Sequence, residues 1–254
     1  MKSLIAILPF LILLCFQAIG QLATVPGGSP VAIVQNTLLG PGVTVSNIMY
    51  NGSPSALGTF TGTGTNLGLA SGVVMTTGTV INNGAGPHGP NNQTNSGVDN
   101  NAGGSSLLSG IIGGTQTYNA SILEFDFIPY SDTVRFRYVF GSEEYTTWIN
   151  TQYNDAFGFY LTGPNPAGGN YASTNLALVP NTTLPITIST IHPGLNSQYY
   201  IGTPVGHSFN GITTPLEIAF AVNCGAIYHF KFAVADCVDG ILDTGVFLEG
   251  SSFT

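Results

Sequence analysis

The chain has 254 residues, enough for one large β domain or two small ones with a sizeable core. Only 6% are charged and 43% are hydrophobic, a balance that excludes a disordered chain, and past the N-terminus no apolar run approaches the ~20 residues of a membrane helix. Beyond residue 20, three bases (Arg135, Arg137, Lys231) stand against twelve acids, a net charge of −9; nucleic acid and anionic membranes are therefore poor partners, and cations better ones.

The N-terminus reads as a secretory signal over residues 1–20. Lys2 is its basic region, Leu4 to Phe16 its apolar stretch, and Ala18-Ile19-Gly20 supplies small residues before a cut at Gln21. The alternative is an uncleaved anchor helix. Cys15 follows Leu14, which argues against a lipoprotein cut. Residues 21–254 read as a single secreted, extracellular domain with no membrane insertion once the signal is removed.

Residues 21 to about 121 are rich in Gly, Thr, Ser and Asn. Val31 to Val34, Val43 to Ile48, Leu67 to Met75 and Ser106 to Ile112 are candidate strands or short buried segments. Asn82 to Gly104 is nearly free of apolar residues and predicts a long loop. Thr59, Thr61, Thr63 and Thr65 have the spacing of a hydroxylated strand face, as in an ice-binding surface. A plain Gly/Thr strand or loop explains them equally simply and is preferred.

From Ile122 to Phe140 the pattern is clearer. Leu123, Phe125 and Phe127 alternate with Glu124 and Asp126; after Pro129-Tyr130-Ser131-Asp132, Val134, Phe136, Tyr138 and Phe140 alternate with Arg135 and Arg137. A hairpin centred between Tyr130 and Ser131 would pair Asp126 with Arg135, Glu124 with Arg137 and Phe125 with Phe136. That gives both arginines a structural role. Ala156 to Thr162, Leu184 to Thr190, Leu216 to Val222, Tyr228 to Ala235 and Gly245 to Leu248 follow as strands, the third and fourth as a second hairpin. The fold predicted is all-β: an antiparallel β-sandwich, jelly-roll- or lectin-like, with long Gly/Asn-rich loops. Cys224 in the second turn and Cys237 at the far end of its return strand would lie ~30 Å apart, too far for a disulfide.

Most of the other acids fall in two strand-end regions: Glu143, Glu144 and Asp155, then Asp236, Asp239, Asp243 and Glu249. Clustered carboxylates repel, and Ca²⁺ relieves this by taking six to eight oxygens. Glu143, Glu144, Asp155, Asp236, Asp239 and Asp243 are the candidate metal ligands, although their spacing is not that of an EF-hand. Solvated rim carboxylates, or a catalytic pair, are the competing readings. Tyr145, Trp148 and Tyr153 flank the first region and are candidate ligand-binding aromatics, suited to stacking on a sugar. A Trp148 folded back on the sandwich edge is the plain alternative.

Catalytic signatures fail, so no enzyme is predicted. Gly206-His207-Ser208-Phe209-Asn210 nearly matches a nucleophile elbow, but Asn210 stands where glycine is needed. There is no phosphate loop and no H-E-x-x-H helix. His88, His192, His207 and His229 are scattered, and His229 reads as structural on a strand face.

Leu38 to Gly40 with Val43 to Asn47, FRYVFGSEEY (Phe136 to Tyr145), YNDAFGFYL (Tyr153 to Leu161), NLALVP (Asn175 to Pro180), Tyr199-Tyr200, Gly211 to Thr214, and the stretch from Tyr228 to Phe253 together resemble the choice-of-anchor L domain family. The resemblance spans nearly the whole mature chain. It implies a secreted or surface-attached module of Bacteroidetes type, usually within long proteins carrying type IX secretion signals, some linked to gliding and adhesion. It supplies context and no mechanism. The sequence stops at Thr254 without an anchor, which suits either a fragment or a module that binds or assembles without one. Cys237 is atypical for its block. The NDAFGF stretch also resembles the strand of legume-type lectins whose Asp binds metal and sugar, which would single out Asp155.

Three functions follow as expectations. The first is a calcium-stabilised surface adhesion module with a glycan or protein partner. The second is a self-associating subunit of an extracellular fibre or coat. The third, weaker, is a glycoside-active enzyme using Glu143, Glu144 or Asp155.

Overall fold

Alternating residues give a strand one apolar face, which must be buried against another. Leu123, Phe125 and Phe127 are buried, while Glu124 and Asp126 between them reach solvent. The computed structural model describes residues 20–80, 99–203 and 205–254. In chain order its strands are β1 (Ala23–Pro26), β2 (Val43–Asn51), β3 (Leu57–Thr61), β4 (Ser71–Thr76), β5 (Thr117–Pro129), β6 (Thr133–Ser142) and β7 (Ala156–Pro164). There follow β8 (Asn170–Asn175), β9 (Tyr200–Ile201), β10 (Gly211–Thr213), β11 (Leu216–Ala221), β12 (Tyr228–Cys237) and β13 (Thr244–Glu249). Two short helices interrupt them, α1 (Pro30–Ile33) and α2 (Ser106–Ile111).

One antiparallel sheet runs β1-β3-β4-β13-β6-β10-β9, with β11 also on β6; the other runs β2-β5-β12-β7-β8. Their inner faces meet in an aromatic layer, making the all-β sandwich that the sequence predicts. Phe136 of the first sheet lies edge-to-face on Phe159 (4.7 Å) and Phe230 (5.6 Å) of the second. Phe253, one residue from the end of the sequence, is fully buried among Phe125 (5.4 Å), Phe127 (5.3 Å) and Phe136 (5.8 Å).

Neither predicted hairpin forms. β5 pairs with β2 and β12, whereas β6 pairs with β13, β10 and β11. The Tyr130–Asp132 link therefore crosses from one sheet to the other, and Phe125 and Phe136 face one another across the core. One-faced alternation is required of strands in either arrangement, so it does not choose between them. The charges find other partners. Arg137 grips Glu249 with two contacts of 2.9 Å, and Arg135 lies 3.7 Å from Glu217. Glu124 takes Lys231 at 2.9 Å and His229 at 3.2 Å, and Asp126 takes His229 at 2.8 Å and Asn47 at 2.7 Å. Both arginines and His229 thus serve structure, as expected, with different mates. Likewise β11 joins β6 and β12 joins β5 and β7, so the second link is also a crossover. Cys224 and Cys237 are nonetheless free: Cys237 ends the extended β12, and Cys224 lies in the link before that strand begins.

Three other segments differ from expectation. Val31–Val34 and Ser106–Ile112 are helical, the first opened by Pro30, whose fixed φ suits a first helical position. α2 lays Leu108 over a patch of small residues, Ala120, Ala156, Ala233 and Ala235. Leu184–Thr190 forms only one bridge, Pro185 to Leu178, although Ile186 and Ile188 are buried. Thr59 and Thr61 lie on β3, but the chain then turns, and Thr65 bonds back to the Gly62 carbonyl; no threonine face forms. The signal segment up to residue 19, His88 and most of the predicted long loop (82–98) lie outside the described residues.

Phe253→Ala should cost about 3–5 kcal/mol, because it empties the centre of the aromatic layer. Arg137→Ala should cost about 1 kcal/mol or less. Urea denaturation of the two variants measures the contrast.

Candidate functional site

The two acidic regions meet. Glu143 and Glu144 follow the end of β6, Asp155 precedes β7, Asp236 ends β12 and Asp243 precedes β13. These strand ends belong to both sheets and converge at one end of the sandwich. All five carboxylate residues are at most 2% exposed. They are therefore not solvated rim acids. β12 is buried on both faces from Phe232 to Cys237, with Ala233 and Ala235 covered by α2, and a register shift falls between Val234 and Asp236.

Neutral donors hold part of the cluster. The Cys237 amide donates to Asp155 Oδ1 at 3.0 Å, and the Thr244 hydroxyl donates to Asp155 Oδ2. Asn119 donates to Asp236 Oδ2 at 2.9 Å. The Asp243 amide donates to Glu143 Oε2 at 3.2 Å, and the Glu143 amide returns a bond to the Asp243 carbonyl at 3.0 Å. Gly78 packs so closely on the Asp243 carboxylate that any Cβ there would collide with it. Val238, just past the cluster, sits at φ 78°, a conformation costing a β-branched residue ~1–3 kcal/mol.

Among the described residues Lys231, Arg135 and Arg137 are paired on the outer faces, away from this end. Burial, reinforced by Asp155 and Asp236, pushes the Glu144 carboxyl up to about 12. Asp155 rises to about 7, chiefly through burial and against its donors Thr244 and Cys237. Asp236 is also raised, by burial and then by Asp155 and Asp243. Among the described residues no three His, Cys, Asp or Glu side chains stand in ready metal-ligating geometry.

Above the cluster opens a cleft of about 450 Å³, lined by Glu144, Thr147, Trp148, Tyr153, Asp239, Ile241 and Leu242. Trp148 is 38% exposed and meets Tyr153 edge-to-face at 5.0 Å. Asp239 is on the cleft wall, accepts the Ile241 amide at 3.3 Å, and lies close enough to Asp155 for its charge to raise that carboxyl. Tyr145 points the other way: it is buried against Tyr200 (5.1 Å) and Phe140 (6.4 Å) and presents nothing to a ligand. The alternation of β6 hides this, because Tyr145 follows the strand in a turn. Asn119, Thr244, Ile241 and Leu242 complete the site and were not singled out by sequence. Neutral residues carry no charge signal, and Asn119 is far from the acids in the chain.

His207 and Ser208 of the near-elbow are buried, and burial lowers His207 to about 4. Its ring bonds Asn66 at 2.9 Å, away from the carboxylates described above.

The raised carboxyls set the sign of the pH dependence. Folded Glu144 keeps a proton that the unfolded chain releases above its ordinary value of 4.5, so stability falls as pH rises. His207 acts oppositely, but only below about 6.5. In chelating buffer the melting temperature should therefore drop between pH 6.5 and 8, and Glu144→Gln should flatten that slope. Thermal melts of both proteins across this range check it.

Among the described residues no helix is long and apolar enough to cross a membrane. No curated protein and no solved structure gives a match. The profile of the Choice-of-anchor L domain family matches residues 24–254, taking in both sheets, the carboxylate cluster and the cleft. The chain belongs to the Choice-of-anchor L domain family.

Proposed function

We propose that this protein is an extracellular adhesion module, calcium-stabilised, that holds a surface glycan in the cleft at the acidic end of its sandwich. Its family is one of surface-associated modules. The observation that carries the reading is the pair Trp148 and Tyr153, two rings inclined at 71° on the wall of the cleft. A sugar has an apolar C–H face and a rim of hydroxyls. The rings suit the first, and the Asp239 carboxylate and Thr147 hydroxyl suit the second. Ile241, 64% exposed at the same cleft, adds apolar surface. Calcium belongs to the buried floor of the cleft and not to its walls.

A self-assembling fibre or coat is the second reading, supported by the open edges of β2 and β8. An unpaired edge is a template for strand addition. The irregularity of β2 between Ser46 and Met49 works against it there, because it breaks the ladder an added strand would follow. Hydrolysis has less support: a glycosidase needs two carboxylates flanking a bond, and of the acids only Glu144 and Asp239 line the cleft.

Screening the purified protein on a glycan array, then titrating the best ligand, tests the proposal. Trp148→Ala and Tyr153→Ala should each weaken binding at least about tenfold, in line with the ~1–3 kcal/mol that stacking on an aromatic ring contributes, and leave the melting temperature within a few degrees. Unchanged binding in both variants would sink it. Sedimentation as fibres or large assemblies would favour the second reading.

A further inference from the structure

The enclosed strand ends hold three carboxylates in mutual electrostatic contact, Glu144, Asp155 and Asp236, with Asp243 against Asp236. Two of their oxygens stand out. Glu144 Oε2 and Asp236 Oδ1 are buried and have no hydrogen-bond partner, although the rest of the cluster is supplied with amide and hydroxyl donors. A buried anionic oxygen left unpartnered is costly, and two such oxygens among like charges are costlier. Proteins relieve this with a basic side chain, with protons or with a metal ion. Arg135, Arg137 and Lys231 are engaged on the outer faces.

We propose that Glu144, Asp155 and Asp236 form a calcium site at the floor of the cleft, completed by Asp243 and by neutral oxygens. The chemistry of the donors selects the ion. They are oxygens, which suit a hard cation over zinc or copper. They come from separate strand ends and the loops between them, and calcium accepts such an irregular shell where magnesium demands a near-ideal octahedron. The carboxylates are not already gathered in ligating geometry, so the site closes on its ion. Glu144 follows a strand of the eight-stranded sheet, whereas Asp155 and Asp236 belong to the five-stranded one. The ion therefore ties the two sheets together at their acidic end. Because Glu144 also lines the cleft, ion and ligand share a residue, and each should tighten the binding of the other. This deepens the reading of the cleft as the binding site, and the two fail separately.

Three measurements on the purified protein test it: melting temperature in CaCl₂, MgCl₂ and EDTA; Tb³⁺ luminescence sensitised through Trp148 and Tyr153; and displacement of that signal by Ca²⁺. Calcium should raise the melting temperature by several degrees over EDTA, magnesium should do so much less, and Ca²⁺ should displace Tb³⁺. Asp236→Asn should abolish the thermal shift and weaken Tb³⁺ binding by roughly 10–100-fold. It should be no less stable than wild type in EDTA, since it removes a buried like charge. Asp132→Asn, at an exposed turn, should keep the wild-type response. The proposal is overturned if millimolar Ca²⁺ neither shifts the wild-type melt nor displaces Tb³⁺, which would mean that protons hold the cluster. It is equally overturned if Asp155→Asn and Asp236→Asn both keep the full shift, or if magnesium matches calcium. Intact calcium binding with no glycan binding would leave the metal site standing and remove the cleft reading; the converse would do the reverse.

Discussion

The inner faces of the two sheets are apolar, and the contact between them is what the molecule rests on. Phe136, Phe159, Phe230 and Phe253 interlock at ring separations of 4.7–6.1 Å, mostly edge-to-face. Neither sheet is stable without the other, because each would expose that layer to water. This is why the chain crosses between sheets at both Tyr130–Asp132 and Val222–Ile227 instead of turning back on itself. Each crossover sends one aromatic strand to each side of the core. Phe253 then fills the centre of the layer, against Phe125, Phe127 and Phe136.

Where the aromatic layer ends, carboxylates take over. Between the same two sheets, the chemistry changes within a few residues from Phe140 and Phe157 to Glu143, Glu144 and Asp155. Replacing a packed apolar contact with buried like charges weakens a fold. A domain that keeps five such acids at one end therefore spends stability at that end, and proteins commonly do so at sites that bind. The left-handed Val238 beside Asp236 points the same way. The cleft lies directly over this end and shares Glu144 with it, so the strained, charged part of the molecule and its exposed aromatic pair form one continuous region.

The surface electrostatics are simpler than the composition suggests. Arg135, Arg137, Lys231 and His229 each lie beside a carboxylate on the outer faces. That leaves most of the remaining acids at the acidic end. Exposed pairs of this kind contribute little stability, but they keep the few bases of the chain away from the cluster.

Period-two alternation made the strands from Ile122 to Phe140, Ala156 to Thr162 and Tyr228 to Ala235 legible, since burial on one face is a local property of the sequence. The clustering of acids at strand ends was legible for the same reason, as was the placement of Trp148 and Tyr153 beside them. Pairing was not. A three-residue link between alternating strands fits a hairpin and a crossover alike, and Glu124 and Asp126 found His229 and Lys231 instead of the arginines. Helix in Ser106–Ile111 was hidden too, because its stability comes from the alanine patch it covers. Tyr145 looked like its aromatic neighbours in the chain, and only the turn after β6 sends it inward. The sequence by itself thus determined a β-rich chain with alternating strands and an acidic end. Tertiary structure alone decided that the two acidic regions, some eighty residues apart, share one buried floor. The physical reason is that which strand lies beside which is set by packing the whole aromatic layer at once, and no local stretch carries that information.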